Sequence, residues 1–263
     1  MIISNHMRTM KTFNKVETLL VKSDGFVQEK CVESTICEHF IEVFVNGRFW
    51  TKLACTPNEL VELIVGRLIS EQVIDISVVN VLEDCIKSIE ICEDGSRAEV
   101  HLADDRKTES LNMENGRFMT RMSEIEQKPL HDLPYNPEWI FTLAAAFLDD
   151  SQLHKATKGT HSCYLSIKGK IIYSAEDIGR HNALDKAIGY AALNACSLRD
   201  SILFTTGRIS VDMVHKVATA QIPILVSKAV PTTAAITLAA HYGITLIGRA
   251  WQDSYEVYTG KNL

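Results

Sequence analysis

Apolar side chains recur at every second position at Ile41, Val43 and Val45, the period of a half-buried strand. Asn46-Gly47, the pair favoured in tight hairpin turns, follows, and Arg48 to Cys55 reads as the returning strand. Thr56-Pro57-Asn58-Glu59 then has the form of a helix start: Thr56 as cap, Pro57 in the first turn, Glu59 closing a capping box. The spacing predicts a helix to about Ser70, then a second hairpin from Ile86 to Cys92 and Ala98 to Leu102 around Asp94-Gly95. Residues 104–136 are polar and without period, and read as a long connector.

The pattern changes at Asn136-Pro137-Glu138, which opens a helix reaching about Asp150. Ser162 to Ile167 and Lys170 to Ser174 form a hairpin-like pair turning at Lys168-Gly169. Ala183, Leu184, Ala187, Ile188, Ala191 and Ala192 then lie along one helix face. Strands are predicted at Ser201 to Thr206, Ile222 to Ser227 and Ile244 to Gly248. The intervening helices are capped by Ser210 and Thr232, and the second ends at Gly243. A β-α-β-α-β-α-β order with right-handed crossovers makes most of these strands parallel. The chain is therefore read as a β-hairpin-rich portion over 1–135 and an α/β ligand-binding portion over 136–263.

Composition narrows the function. Of 263 residues, 46% are apolar and 23% charged, which suits a globular core, and the net charge of −6 argues against nucleic acid or an anionic membrane as partner. The expected location is the cytoplasm: there is no apolar run behind a basic start and no stretch long enough to cross a bilayer. The seven cysteines (Cys31, Cys37, Cys55, Cys85, Cys92, Cys163, Cys196) are odd in number, scattered and free of any C-x-x-C pair. Neither a disulfide framework nor a zinc site is expected.

In an open parallel sheet, ligands sit beyond the carboxyl ends of the strands. Those ends carry Glu176, Asp177, Gly179, Arg180 and His181; Thr205, Thr206, Gly207, Arg208 and Ser210; Ser227, Lys228, Thr232 and Thr233; and Arg249 and Trp251. An acidic chain thus gathers Arg180, Arg208, Lys228 and Arg249 at one edge, close to helix N-termini that favour anions. A phosphorylated ligand is the expectation. His181 and Asp185, four apart, share a helix face, where the carboxylate would raise the imidazole pKa for acid–base work or form a helix-start ion pair. On that basis a phosphoester hydrolase is an alternative. Asn182 reads as a cap. His161 and Cys163 project from one strand face, so an imidazolium there would lower the thiol pKa.

The run Glu176-Asp177-Ile178-Gly179-Arg180-His181-Asn182-Ala183-Leu184-Asp185-Lys186 resembles the E-D-[VI]-G-R-H-N-A-x-D-K segment of the formate dehydrogenase accessory sulfurtransferase family (FdhD/NarQ). Thr160-His161, Gly207-Arg208-x-Ser210 with Lys216, Ser227 with Pro231-Thr232, and Thr56-Pro57 with Leu63, Gly66 and Glu71 extend the resemblance. It implies a cytidine-deaminase-like three-layer α/β/α fold behind the N-terminal hairpins, and a homodimer. It also implies binding of the molybdenum bis-guanine-dinucleotide cofactor, with guanine nucleotides as partial mimics, and formate dehydrogenase and a cysteine desulfurase as partners. Carried onto matching positions, it places Thr160, Asp177, Gly179, Arg180, His181, Asn182, Asp185, Lys186, Gly207, Arg208, Ser210, Ser227 and Thr232 at the cofactor, with Asp185 and Lys186 expected to hold Arg180 and His181; Arg249 and Trp251 join them from the strand-end reading, since the stretch from Arg249 to Ser254 departs from the family's pattern. The family's sulfur-carrying C-G-x-C-G loop has no counterpart: 107–117 hold no cysteine. Cys163, with His161 and His181, is the substitute candidate for sulfur chemistry. The alternative is a cofactor-binding chaperone without sulfur transfer.

Overall fold

The computed structural model describes residues 1–22, 28–74, 81–103 and 129–260. Most of the connector, including 107–117, lies outside the described residues. The chain opens with β1 (Ile2–Asn5), then β2 (Phe13–Val21) and β3 (Gln28–Ile36), which among the described strands pair only with each other. β4 (His39–Val45) and β5 (Arg48–Cys55) form the expected hairpin. Asn46 and Gly47 both take positive φ, 48° and 76°, the backbone a primed two-residue turn requires.

α1 (Leu60–Ser70) follows, with the short α2 (Val81–Cys85), β6 (Ile86–Ile91) and β7 (Arg97–Leu102). β1, β6, β7, β4 and β5 make one sheet in that order; β1 lies parallel to β6 and β4 parallel to β7. Alternation sets which face is buried: Ile41, Val43 and Val45 point inward with Ile89, Ile91, Ala98 and Val100, onto Leu63, Ile64 and Leu68 of α1. The capping-box reading at Thr56 is corrected. α1 begins at Leu60, behind a left-handed Glu59 (φ 56°) that makes no side-chain cap. Thr56 is drawn away by tertiary partners.

The second portion holds α3 (Pro137–Asp150), α4 (Gln152–Thr157), β8 (His161–Ile167), β9 (Lys170–Asp177), α5 (Arg180–Leu193), β10 (Ser201–Thr205), α6 (Val211–Thr219), β11 (Ile224–Ser227), α7 (Thr233–His241), β12 (Thr245–Gly248) and β13 (Glu256–Thr259). Asn136 caps α3 by accepting from Glu138 N at 3.0 Å, and Thr232 caps α7 by accepting from Ala235 N at 3.2 Å. The six-stranded sheet runs β13-β12-β11-β10-β8-β9. β10, β11 and β12 are mutually parallel as expected, whereas β8 is antiparallel to both neighbours, so the parallel character is confined to the centre.

Two apolar clusters fill the faces of this sheet. Ile140, Leu143 and Phe147 of α3 pack on Tyr164, Phe204, Val226 and Ile247. Leu184, Ile188 and Val214, from α5 and α6, cover Leu165, Leu203, Leu225 and Leu246 on the other side. The chain is thus a mixed α/β protein whose second sheet lies between helices. α1 crosses α5 at backbone contact: a Cβ on Gly66 would meet Asp185 O at 1.7 Å, and one on Gly189 would meet Glu62 O at 1.9 Å. The first portion's helix is thereby seated on the helix that carries the motif. No described helix is long and apolar enough to cross a membrane.

Candidate functional site

β9, β10, β11 and β12 all point the same way, because β8 is antiparallel to β9 and β10 while β10–β12 are parallel. Their carboxyl ends therefore share one edge, where β8 also begins at His161. The sequence expectation of a common edge holds in the geometry. Its roles, however, divide into groups buried beneath the edge and groups left open at it.

Asp177 is fully buried and its carboxylate is saturated. Oδ1 accepts from Gly179 N at 3.0 Å and Asn182 Nδ2 at 2.9 Å; Oδ2 accepts from Thr56 N at 3.0 Å and pairs with Lys186 Nζ at 2.9 Å. Lys186 is fully buried too, donating to Thr56 Oγ1 at 2.6 Å and Glu176 O at 3.1 Å. Asn182 also donates to Ala54 O at 2.7 Å rather than capping α5. Buried and paired, Asp177, Asn182 and Lys186 clamp the β5–α1 turn to the start of α5. They fix the backbone at Gly179, Arg180 and His181.

A second buried network lies one turn further along α5. Asp185 accepts from Lys216 Nζ at 2.7 and 2.6 Å and from Ser70 Oγ at 2.7 Å, with Arg67 at 3.6 Å. Arg67 also pairs with Glu71, whose pKa burial raises. Asp185 therefore does not serve His181 as a tautomer-setting partner. Burial, then Lys216 and Arg180, lower the His181 pKa to about 4, so the expected upward shift is reversed and the ring is neutral at pH 7. His161 is likewise lowered, by burial first and then by Arg180 and His154. Two neutral imidazoles thus lie near the Arg180 guanidinium.

The open groups remain. The stem of Arg180 lies on Gly207, where a Cβ would sit 2.8 Å from Arg180 Cβ. Arg180 Nε and Ser210 Oγ are buried atoms with no hydrogen-bond partner. Gly179 and Ser210 are the N-cap positions of α5 and α6, and neither helix has a side-chain cap. The expected Ser210 cap is thus corrected: the position is right, the bond is not made. Arg208 is exposed on the same loop. First-turn N–H groups of two helices, two guanidinium groups and a free hydroxyl suit phosphate oxygens.

Beside them, Lys228 Nζ sits 4.5 Å from the Phe147 ring centroid and 4.6 Å from that of Trp251. Together with Leu148 and Asp253 they line a cavity of about 480 Å³. Phe147, Leu148 and Asp253 were not predicted. An aromatic at the end of α3 and another just after β12 are a readable signal only once the topology brings those ends together.

Other expected contacts are engaged elsewhere. Ser227 Oγ donates to Gly207 O at 2.7 Å, Thr160 Oγ1 to Glu176 Oε1 at 3.2 Å, and exposed Arg249 pairs with Glu256 at 3.2 Å. Cys163 is corrected as a reactive thiol. It is fully buried, burial pushes it up to about 12, and neutral His161 offers no cation. Cys55 is buried beside Asp177 and is also pushed up to about 12.

The FdhD/NarQ family profile matches residues 36–263. The sulfur carrier protein FdhD of Bacillus pumilus (strain SAFR-032) is 32% identical over 244 residues, covering 88% of this chain and 91% of that one. The protein of the same name from Listeria monocytogenes (strain EGD-e) is 32% identical over 244 residues, covering 90% and 93%. In fold, the chain superposes on the crystal structure of a candidate formate dehydrogenase accessory protein from Desulfotalea psychrophila. The TM-score is 0.76 with 24% identity, over 96% of this chain and 99% of that one. With its motif at the start of α5 and a match running through both portions, the chain belongs to the FdhD/NarQ family.

Proposed function

We propose that this chain is a formate dehydrogenase accessory protein that holds the molybdenum bis-guanine-dinucleotide cofactor as cargo at the carboxyl-end edge of its six-stranded sheet. The observation that carries this reading is the pair of orphaned buried atoms, Arg180 Nε and Ser210 Oγ, at two uncapped helix N-termini. A buried donor without a partner is costly, and a phosphate oxygen removes that cost. Arg208 adds a second guanidinium. The neighbouring cavity, walled by Phe147 and Trp251, suits a planar base, with Lys228 and Asp253 as polar contacts.

The relatives' name, sulfur carrier, brings a second reading: sulfur relayed from a cysteine desulfurase to the cofactor. It needs an accessible thiolate within reach of the edge. No cysteine lies between Cys92 and Cys163. Cys163 is sealed beneath the edge, and the half-buried thiols are Cys31, Cys37, Cys85, Cys92 and Cys196. The geometry therefore favours a cofactor holder over a relay through a thiol at the site. Incubation with a cysteine desulfurase and cysteine, followed by intact mass and peptide mapping, separates the two. The holder reading expects guanine-nucleotide binding with no added sulfur. A stoichiometric persulfide on any cysteine would establish the carrier reading instead.

A further inference from the structure

Gly95 closes the β6–β7 turn with a φ of +69°, a backbone that favours glycine. Its missing side chain leaves a cradle. A Cβ there would lie 2.9 Å from Met10 Cε, 3.2 Å from Met7 Cε and 3.2 Å from His39 Nε2. Three segments therefore meet at one spot: the 7–10 stretch behind β1, the first residue of β4 and the β6–β7 turn. Each methionine sulfur is one bond from the methyl that reaches the spot. The stretch is held in place by Arg8 N, which donates to Glu93 O at 3.1 Å, and by Met7 N, which donates to Asn5 Oδ1 at 3.2 Å. Gly95 is buried, whereas Met7, Met10 and His39 are half-buried, so an ion can reach them from solvent.

The donor types select the ligand. Thioethers are soft, uncharged ligands that favour copper(I); magnesium and calcium take oxygen, and zinc takes thiolate, imidazole or carboxylate. The neighbouring thiols are engaged otherwise. Cys92 Sγ accepts from Arg97 N at 3.1 Å and donates to Asp94 Oδ1 at 3.0 Å, and Cys37 Sγ accepts from Asn14 Nδ2 at 3.2 Å. The Asp94 carboxylate also accepts from Ser96 N at 3.0 Å and Ser96 Oγ at 2.7 Å. Two thioethers and an imidazole remain. His39 Nε2 donates to Gly95 O at 2.8 Å, so the nitrogen that faces the methionines carries the ring proton. On binding, that proton moves to Nδ1, Nε2 turns from the Gly95 carbonyl to the ion, and no proton is released.

We propose that Met7, Met10 and His39 form a binding site for a soft monovalent cation, copper(I), at the Gly95 turn. The site belongs to the first sheet, apart from the phosphate edge, and does not rest on the cofactor reading.

The test is silver(I), a redox-stable ion of the same class, titrated into the full chain labelled with carbon-13 at its methionine methyls and followed by NMR. Silver is added beyond what the seven thiols take up. The Met7 and Met10 signals should shift together and saturate at a silver concentration about tenfold or more below that needed for Met1, an exposed lone thioether, because three joined donors hold one ion more tightly than one does. The methyl of fully buried Met213 should stay unshifted. Met7→Leu, which keeps the apolar volume, should weaken the Met10 response about tenfold or more, and Met10→Leu the Met7 response, since the two share an ion. His39→Gln should weaken both. Met7 and Met10 signals that merely track Met1 would overturn the assignment, and that comparison needs no variant. A Met10 response unchanged in Met7→Leu, or full affinity in His39→Gln, would overturn it as well. Melting curves like that of wild type exclude misfolding as the cause of weaker binding in any variant.

Discussion

Gly66→Ala tests how firmly the first portion supports the site. A Cβ there would lie 1.7 Å from Asp185 O, 2.5 Å from its carbonyl carbon and 2.9 Å from Gly189 N. All three are backbone atoms of a fully buried helix segment, so no rotamer change relieves the overlap. Ordinary contact needs about 3.5 Å, so α1 and α5 must part by roughly 1.5–2 Å. That strains Ser70 to Asp185 at 2.7 Å and the Lys216–Asp185 pair at 2.6 Å, both spanning the helices that move. Overpacking costs about 1–3 kcal/mol and a weakened hydrogen bond to a charged group about 1.5–3. A loss of about 3–5 kcal/mol follows. Urea denaturation followed by circular dichroism should show the midpoint falling by about 1 M or more, for a slope near 3 kcal/mol per molar. The melting temperature should fall by roughly 6–20 °C. Gly47→Ala is the control: no atom lies within 4 Å, so only its φ of 76° is strained, at about 1–2 kcal/mol. A Gly66→Ala midpoint no lower than that of Gly47→Ala would refute the backbone-contact reasoning.

Three further outcomes follow from buried charge. Lys186→Met strands the Asp177 carboxylate in the interior and should cost about 3–5 kcal/mol by denaturant titration; a variant within 1 kcal/mol of wild type would show the pair to be inessential. His181 has a folded pKa of about 4, below its ordinary 6.5, so the unfolded chain takes the proton first as pH falls. Its contribution is complete above pH 6.5 and drains away between pH 6.5 and 4, by about 3 kcal/mol at most. His181→Gln should flatten stability over that window, and an unchanged pH profile would contradict the assignment. Cys163, fully buried with its thiol pushed up to about 12, should resist a thiol-alkylating reagent in the native protein and react only after denaturation, as read by peptide mass mapping.

The sequence was most legible where a local period coincided with tertiary burial. The β4–β5 hairpin, the end of α1 at Ser70, the Asn136 and Thr232 caps and the strand–helix alternation of the second portion all appear at their expected places. Thr56 shows the limit. Thr-Pro-x-Glu is a valid cap pattern, but Asp177 and Lys186, some 120–130 residues away, offer Thr56 stronger partners than the helix end does. The β2–β3 ribbon escaped notice because its apolar residues fall on both faces and set no period of two. β1 and β13 are only four residues each, too short for periodicity to register. The candidate edge could be read from strand ends alone. Which of its residues stay open could not, because an acidic or basic side chain in a motif looks the same whether it faces a ligand or a buried counter-charge.

The central claim is that the cationic edge takes a phosphorylated guanine ligand through Arg180 and Arg208. It is tested most directly by isothermal titration of guanosine diphosphate into wild type, Arg180→Ala and Arg208→Ala, each first shown to melt as a folded protein. Saturable binding by wild type is expected, and each variant should bind at least tenfold more weakly, consistent with the loss of a hydrogen bond to a charged group at about 1.5–3 kcal/mol. Absence of binding to wild type, or affinity unchanged in both variants, would contradict it.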